Sequence, residues 1–231
     1  MIFRQLFEPI SSTYTYILAS GPSQGAIIID PVKEHTDVYL DLLKKMDLKL
    51  IYAIDTHTHA DHVTALGELR DASDCKTIMG EYSKAGCVSR FVKDNELIKA
   101  GDIVLRSIYT PGHTIESFSF LLQKGGPDMV FTGDTLLING SGRTDFQSGD
   151  ASDSYNSIVN KLFTLDDKTL VYPGHDYHGH TVSSISEQKR LNPRLAGKSI
   201  EEYVEIMNNL NLPDPTMMDA AIPANLACGN I

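Results

Sequence analysis

Leu48-Lys49-Leu50-Ile51-Tyr52-Ala53-Ile54 runs without a break into Asp55-Thr56-His57-Thr58-His59-Ala60-Asp61-His62. A short apolar run closed by a polar loop reads as a buried strand. The loop it delivers carries His57, His59, Asp61 and His62 within six residues. Imidazole and carboxylate are the donors that bind zinc and iron. A plain solvated loop would carry polar residues too, but histidines packed this closely at a strand end serve little structural purpose.

The same grammar of strand, tight glycine turn and donor recurs three times downstream. His113 follows Tyr109-Thr110-Pro111-Gly112, Asp134 follows Phe131-Thr132-Gly133, and His175 follows Tyr172-Pro173-Gly174. Any one of these alone reads as a structural residue. Three of them, added to the histidine loop, predict donors displayed at strand ends on rigid elements, with coordination positions left open for catalysis.

Strands are predicted over Tyr14 to Ala19 and Gly25 to Ile29, joined as a hairpin around Ser20-Gly21-Pro22-Ser23, and over Ile103 to Tyr109, Ser117 to Leu122, Met129 to Thr132 and Leu170 to Tyr172. Between them, Val38, Leu42 and Met46 mark one helix face, and Tyr155, Ile158, Val159 and Leu162 another. Ser199-Ile200-Glu201-Glu202 is a capping box opening a helix with Tyr203, Ile206 and Leu210 inward. The class is α/β. No internal repeat is evident, and Asn211-Leu212-Pro213-Asp214-Pro215 comes too late to precede a second domain. One domain over residues 1–231 is expected, with a short helical C-terminal extension from about residue 199 to 231.

At 42% hydrophobic and 22% charged residues the chain can bury a substantial core. A net charge of -10 argues against a nucleic-acid partner and against an anionic membrane surface, so an anionic substrate would need a local cation. No run reaches the roughly 18 apolar residues of a membrane span. Cys75, Cys87 and Cys228 are odd in number and widely spaced, which predicts thiols packed as small hydrophobes in a reducing compartment. The expected location is cytoplasmic, or the mitochondrial matrix if a transit peptide has been removed.

Thr56-His57-Thr58-His59-Ala60-Asp61-His62, Pro111-Gly112-His113-Thr114, Phe131-Thr132-Gly133-Asp134-Thr135 and Pro173-Gly174-His175-Asp176 resemble, in order, the motifs of the metallo-β-lactamase superfamily. That resemblance implies an αββα sandwich of two mixed β-sheets flanked by helices. Two glutathione-linked branches compete. In the hydroxyacylglutathione hydrolases, similar to glyoxalase II, His57, His59 and His113 would hold one metal, Asp61, His62 and His175 a second, and Asp134 would bridge two Zn(II) or mixed metals. Gly140-Ser141-Gly142-Arg143-Thr144-Asp145-Phe146-Gln147, His175-Asp176-Tyr177-His178-Gly179 and Asn192-Pro193-Arg194-Leu195 instead resemble the persulfide dioxygenases. The short tail also lacks the long helical C-terminal region of the hydrolases. Ser141 departs from the cysteine often found there in the dioxygenase branch.

The dioxygenase resemblance implies one Fe(II) per chain on His57, His113 and Asp134, a face of two histidines and one carboxylate that leaves room for O2 and substrate. Glutathione persulfide, O2 and water would give sulfite and glutathione. His59, Asp61, His62 and His175 would orient the ligands by hydrogen bonds or hold a second metal. Arg143 is the cation suited to a glutathione carboxylate, with an ion pair to Asp145 as its structural alternative. Tyr177 and Thr132 are further candidates for lining the substrate site. His178 and His180 read as solvent-facing loop residues, and His35 has no partner motif. A homodimer is implied by the resemblance alone. The remaining alternative is a non-catalytic metal-binding domain that keeps the fold.

Overall fold

The computed structural model describes residues 1–215 and 217–230, so Thr216 and Ile231 of the expected C-terminal extension lie outside the described residues. Among the described residues, twelve strands and six α-helices are arranged as two mixed six-stranded sheets with helices flanking them, the α/β architecture expected. The chain divides into two compact units: Met1–Val92 with Leu97–Val104 and Asp214–Ile231, and Lys93–Glu96 with Leu105–Pro213.

The first sheet runs β1 (Ile2–Glu8), β2 (Thr13–Ala19), β3 (Gly25–Ile29), β4 (Lys49–Ile54), β5 (Lys76–Gly80), β6 (Arg90–Val92) in spatial order. β2 and β3 form the predicted antiparallel hairpin, with Tyr16 opposite Ile29. β3, β4 and β5 pair in parallel, and Ile29 and Ile54, the last residues of β3 and β4, align with Ile78 in the middle of β5. Buried on both faces, such strands must be nearly all apolar, which is how Gly25–Ile29 and Leu50–Ile54 read. β1 is an addition to the expected strands. It is an edge strand of half-buried residues whose Arg4 and Gln5 interrupt any apolar alternation.

α1 (Thr36–Lys45) forms where a helix is expected, but on a different face. Thr36, Tyr39 and Leu43 are buried, while Val38 is 48% exposed. The Tyr39 ring brings its hydroxyl inward, where it accepts from the backbone of Val32 (3.1 Å) and pairs with Thr15 (3.0 Å). α2 (Leu66–Ser73) packs Leu66 and Leu69 into the same core as Ile17, Ile28, Leu43, Leu50 and Met79. At about 1.5–3 kcal/mol per fully buried aliphatic side chain, this cluster dominates the unit's cohesion.

The second sheet follows the order β12, β11, β10, β9, β8, β7: Ser183–Ser184, Leu170–Pro173, Met129–Gly133, Phe118–Leu122, Ile103–Tyr109 and Leu97–Ala100. In the second unit, α3 (Ala151–Asn160), α4 (Ile185–Leu191) and α5 (Ile200–Asn208) cover a core that includes Ile108, Leu121, Val130, Ile158, Val171 and Tyr203. The capping box predicted at Ser199 and Glu202 is formed. The C-terminal extension is therefore two pieces. α5 belongs to the second unit, whereas α6 (Met218–Leu226) belongs to the first.

One cysteine expectation is overturned. Cys87 and Cys228, 141 residues apart, form a disulfide, and only Cys75 is the buried thiol predicted for all three. Sequence separation carries no information about which distant thiols a fold brings together. Among the described residues, no helix is long and apolar enough to cross a membrane.

Candidate metal centre

β4 ends at Ile54 and delivers the histidine loop of the first unit into a buried, polar setting. Thr56, His57, Thr58, His59 and His62 are all buried. Ring centroids of His57 and His59 lie 4.2 Å apart, and those of His59 and His62 4.3 Å. Donor atoms of His59, Asp61 and His62 fall within 4.8 Å of one another. Asp61 Oδ2 is 2.9 Å from His62 Nδ1, and Thr13 Oγ1 is 3.2 Å from the same nitrogen.

The organiser of this loop is a residue that reads in the sequence as part of an ordinary turn: Asp30, at the end of β3. It is 1% exposed and takes the left-handed φ of 50°. Its Oδ1 accepts from the Thr56 backbone N–H (2.7 Å), and its Oδ2 from the Thr56 hydroxyl (3.0 Å). A hydroxyl has one proton. Having given it to a carboxylate, Thr56 Oγ1 can only accept from His57 Nδ1, 2.9 Å away. His57 is thereby fixed as the Nδ1–H tautomer, with its lone pair on Nε2. Asp30 Oδ1 also lies 3.2 Å from His59 Nε2. Burial disfavours a charged His59, yet the charge and hydrogen bond of Asp30, with the charges of Asp55 and Asp61, raise its pKa to about 9. Asp55 is pushed up to about 7, chiefly by burial, against the opposing charge of His59.

In the second unit, the turns after β8, β10 and β11 bring His113, Asp134 and His175 together. His113 Nδ1 donates to the carbonyl of Arg143 at 2.7 Å, which fixes the same tautomer as at His57. Its Nε2 lies 3.7 Å from Asp134 Oδ2. That is beyond a hydrogen bond and a few tenths of an ångström beyond the roughly 3–3.5 Å that separates two donors on one first-row metal with bonds near 2.1 Å. The other oxygen, Asp134 Oδ1, accepts from His175 Nδ1 at 2.7 Å. Within this unit the imidazoles of His113 and His175 and the oriented carboxylate of Asp134, with no thiolate, are donors of the kind that suit a first-row divalent metal such as iron or zinc.

The loop carrying the Arg143 carbonyl is itself braced. A Cβ on Gly142 would lie 2.3 Å from the Asp134 carbonyl oxygen and 2.8 Å from His113 Nδ1, so only glycine lets this loop approach the turns that carry them. Ser141 Oγ accepts from the Tyr203 hydroxyl of α5 (2.8 Å), Arg194 Nη1 donates to the Ser141 carbonyl (2.5 Å), and Asn192 Nδ2 donates to the Gly140 carbonyl (2.9 Å). Asn192 and Arg194 of Asn192-Pro193-Arg194-Leu195 thus hold the loop that carries the Arg143 carbonyl. Ser141 presents a hydroxyl that α5 engages.

The expected substrate residues fare differently. Arg143 Nε and Nη2 make a two-pronged pair with Asp145 (2.7 and 2.8 Å), and Nη1 donates to the Pro213 carbonyl (2.6 Å) while the guanidinium lies over the Phe146 ring at 4.2 Å. The hydrogen bond from Arg143, ahead of the opposing effect of burial, holds the Asp145 carboxyl below the usual range. Thr132 is fully buried, and its hydroxyl donates to the Leu136 carbonyl (2.6 Å), a structural role in the turn after β10. Tyr177 is 66% exposed and stacks on His175, ring planes 4° apart at 6.1 Å. His178 and His180 are exposed loop residues as expected, with His180 Nδ1 3.2 Å from Asp176. His35 packs edge-on against Tyr39.

Comparison with known proteins places these features in a family. The chain matches the metallo-β-lactamase superfamily over residues 9–85 and 88–175. Human persulfide dioxygenase ETHE1, described as mitochondrial, is 46% identical over 230 residues, covering 99% of this chain and 89% of the relative. The mouse and bovine proteins of that name are 45% identical over the same length. The crystal structure of ETHE1 from Myxococcus xanthus is 51% identical with a TM-score of 0.96, covering 100% of both chains. A metallo-β-lactamase structure from Staphylococcus aureus, 24% identical, shares the fold at a TM-score of 0.90 over 100% of this chain and 73% of that one.

Proposed function

The chain belongs to the metallo-β-lactamase superfamily, and within it we propose that it is an iron-dependent persulfide dioxygenase, in which His57, His113 and Asp134 hold one Fe(II). Glutathione persulfide, O2 and water would give glutathione and sulfite. Ferrous iron supplies the electrons that activate O2, which redox-inert zinc cannot do.

The observation that carries the ligand assignment is the placement of two protons. His57 and His113 each commit Nδ1–H to an oxygen, Thr56 Oγ1 in one case and the Arg143 carbonyl in the other, so each offers Nε2 as the basic nitrogen. His175 orients Asp134 through Oδ1. His59, Asp61 and His62 act on the loop by hydrogen bonds. Arg143 is the anchor for a glutathione carboxylate, which would exchange with Asp145 on a guanidinium already oriented by Phe146 and the Pro213 carbonyl. Tyr177 offers an exposed hydroxyl beside His175 for the peptide or sulfur of the substrate.

Anaerobically purified protein is expected to hold one iron per chain, to take up O2 when glutathione persulfide is added, and to form sulfite. Asp134→Ala should lose iron and turnover together. Two metals per chain with hydrolysis of S-lactoylglutathione and no O2 uptake would replace this with the binuclear hydrolase reading, for which the clustered donors of His59, Asp61 and His62 could provide the second site. The same reading takes the chain as one domain and a homodimer in a thiol-rich compartment, cytoplasmic or mitochondrial. A single unfolding transition and the mass in solution test the first two.

A further inference from the structure

Asn225, on α6 near the chain's end, is 2% exposed and spends its whole side chain on the backbone of the histidine loop. Its Nδ2 donates to the carbonyls of His59 and His62, both at 2.9 Å, and its Oδ1 accepts from the Thr64 N–H at 2.8 Å. The amide cannot be turned over, because Nδ2 would then face the Thr64 N–H and Oδ1 two carbonyl oxygens. One side chain therefore sets the spacing of residues 59 to 64, the stretch that contains His59, Asp61 and His62.

The segment bearing Asn225 is tied down at several points. Gly67 N–H donates to the Cys228 carbonyl (2.8 Å), Lys33 Nζ to the Gly229 carbonyl (2.6 Å), and Gly86 N–H to the Leu226 carbonyl (3.2 Å). Gly229 approaches the Thr64 carbonyl so closely that a Cβ would lie 2.1 Å from the oxygen. The covalent fastening of this segment is the Cys87–Cys228 disulfide, three residues from Asn225.

We propose that Asn225 is a positioning residue for the metal-binding loop and that the Cys87–Cys228 disulfide holds it in place, so that thiol reduction of that bond loosens the metal site. This deepens the functional reading above and rests on the histidine loop being the metal loop. The redox step is thiol–disulfide exchange. A low-molecular-weight thiolate attacks Cys87 Sγ, the half-buried partner of a fully buried Cys228, to form a mixed disulfide and expel the Cys228 thiolate, which takes up a proton. A second thiolate attacks the mixed disulfide and releases Cys87. The protein disulfide is reduced to two thiols as two small thiols are oxidised to one disulfide.

Iron transfer from the loaded full-length protein to a ferrous chelator is the measurement, made anaerobically with and without a phosphine reductant. Asn225→Ala should speed iron release about 10–100-fold, the range for a residue that orients ligands, and lower kcat with little change in KM. Reduction should speed release several-fold in the unsubstituted protein. Cys87→Ser should reproduce that effect and abolish the further response, and Asn225→Ala should not respond to reduction. If Asn225→Ala does not fold, Asn225→Asp replaces it, keeping the acceptor for Thr64 but turning a carboxylate oxygen onto two carbonyls. An unchanged release rate in the Asn225 variant would overturn the inference, as would equal acceleration by reduction with and without Asn225. Protein that holds no iron at all would instead sink the functional reading. In that case amide hydrogen exchange at residues 59–62 of the metal-free protein still tests the clamp, since Asn225→Ala must raise it.

Discussion

Asp30→Asn is the smallest change that reverses the direction of a proton chain. The left-handed backbone at φ 50° tolerates asparagine as readily as aspartate, so the substitution brings no new backbone strain. The amide oxygen can still accept from the Thr56 N–H and face His59. The amide NH2, however, replaces Oδ2 opposite the Thr56 hydroxyl, 3.0 Å away. That hydroxyl must now accept from the introduced amide and give its own proton to His57 Nδ1 at 2.9 Å. His57 is driven to the Nε2–H tautomer, which withdraws the nitrogen offered to the metal. Three hydrogen bonds to a carboxylate, worth roughly 1.5–3 kcal/mol each, become neutral ones worth roughly 0.5–1.5, so stability should fall by about 3–4.5 kcal/mol. Metal affinity should fall about 10–100-fold, the usual effect of losing a partner of a ligating histidine. Anaerobic titration with iron against a competing chelator reads the second quantity, and denaturant unfolding of the metal-free protein the first. Wild-type iron affinity in a folded Asp30→Asn protein would refute the assignment of the His57 proton.

Gly142→Ala should push the Arg143 carbonyl off His113 and cost about tenfold or more in iron affinity, whereas Gly126→Ala, with open space around its Cβ position, should be silent in the same assay. Arg143→Ala should raise KM for glutathione persulfide with iron content unchanged, and Asp145→Ala should lower KM by removing the competitor for the guanidinium; a raised KM in Asp145→Ala would make the pair purely structural. Because Arg143 holds the Asp145 pKa below its ordinary 3.8, the pair stabilises the fold above that pH and loses this contribution as pH falls through the depressed value. With Asp145 half-exposed the effect is under about 1 kcal/mol, so Asp145→Asn should flatten the acid limb of Tm against pH slightly, and a change confined to neutral or alkaline pH would contradict the assignment.

The candidate metal donors are legible in the sequence because they lie close together or repeat one local pattern. Four donors fall between His57 and His62, and the other three each follow a strand and a glycine, a pattern set by the need to leave a strand abruptly and expose a side chain. What supports the donors is not legible. Asp30 precedes a proline at a strand end and reads as an ordinary turn; its role depends on β3 and β4 lying side by side in parallel, which brings it to Thr56. Asn225 and Cys228 act across more than 140 residues, on partners no spacing rule connects. The wrong face expected for α1 has a similar cause. Tyr39 and Thr36 count as polar in a periodicity, yet Tyr39 is buried because Thr15 and Val32 engage its hydroxyl.

The two histidines assigned to iron hold their protons by means that differ in how they can be altered. At His113 the acceptor is a backbone carbonyl, so no side-chain substitution at Arg143 removes it; only movement of the loop can, which is why Gly142, Ser141, Arg194 and Tyr203 converge on that loop. At His57 the acceptor is a hydroxyl whose polarity is set by a carboxylate one residue further along the chain of bonds. A negative charge at the end of such a chain raises the basicity of the ligating nitrogen, and a carbonyl does so less. Changes around His113 should therefore act through geometry and be accompanied by loss of fold stability in the second unit. Changes at Thr56 or Asp30 should instead alter the affinity and electronic character of the metal while the loop at His113 stays as it is. Thr56→Val makes the distinction sharp, since it keeps the shape, deletes the hydroxyl link and leaves Asp30 in place. It should weaken iron binding without lowering the stability of the metal-free protein by more than the few kcal/mol that two lost hydrogen bonds represent. Equal iron affinity in Thr56→Val would mean that His57 takes its tautomer from the metal and not from Asp30.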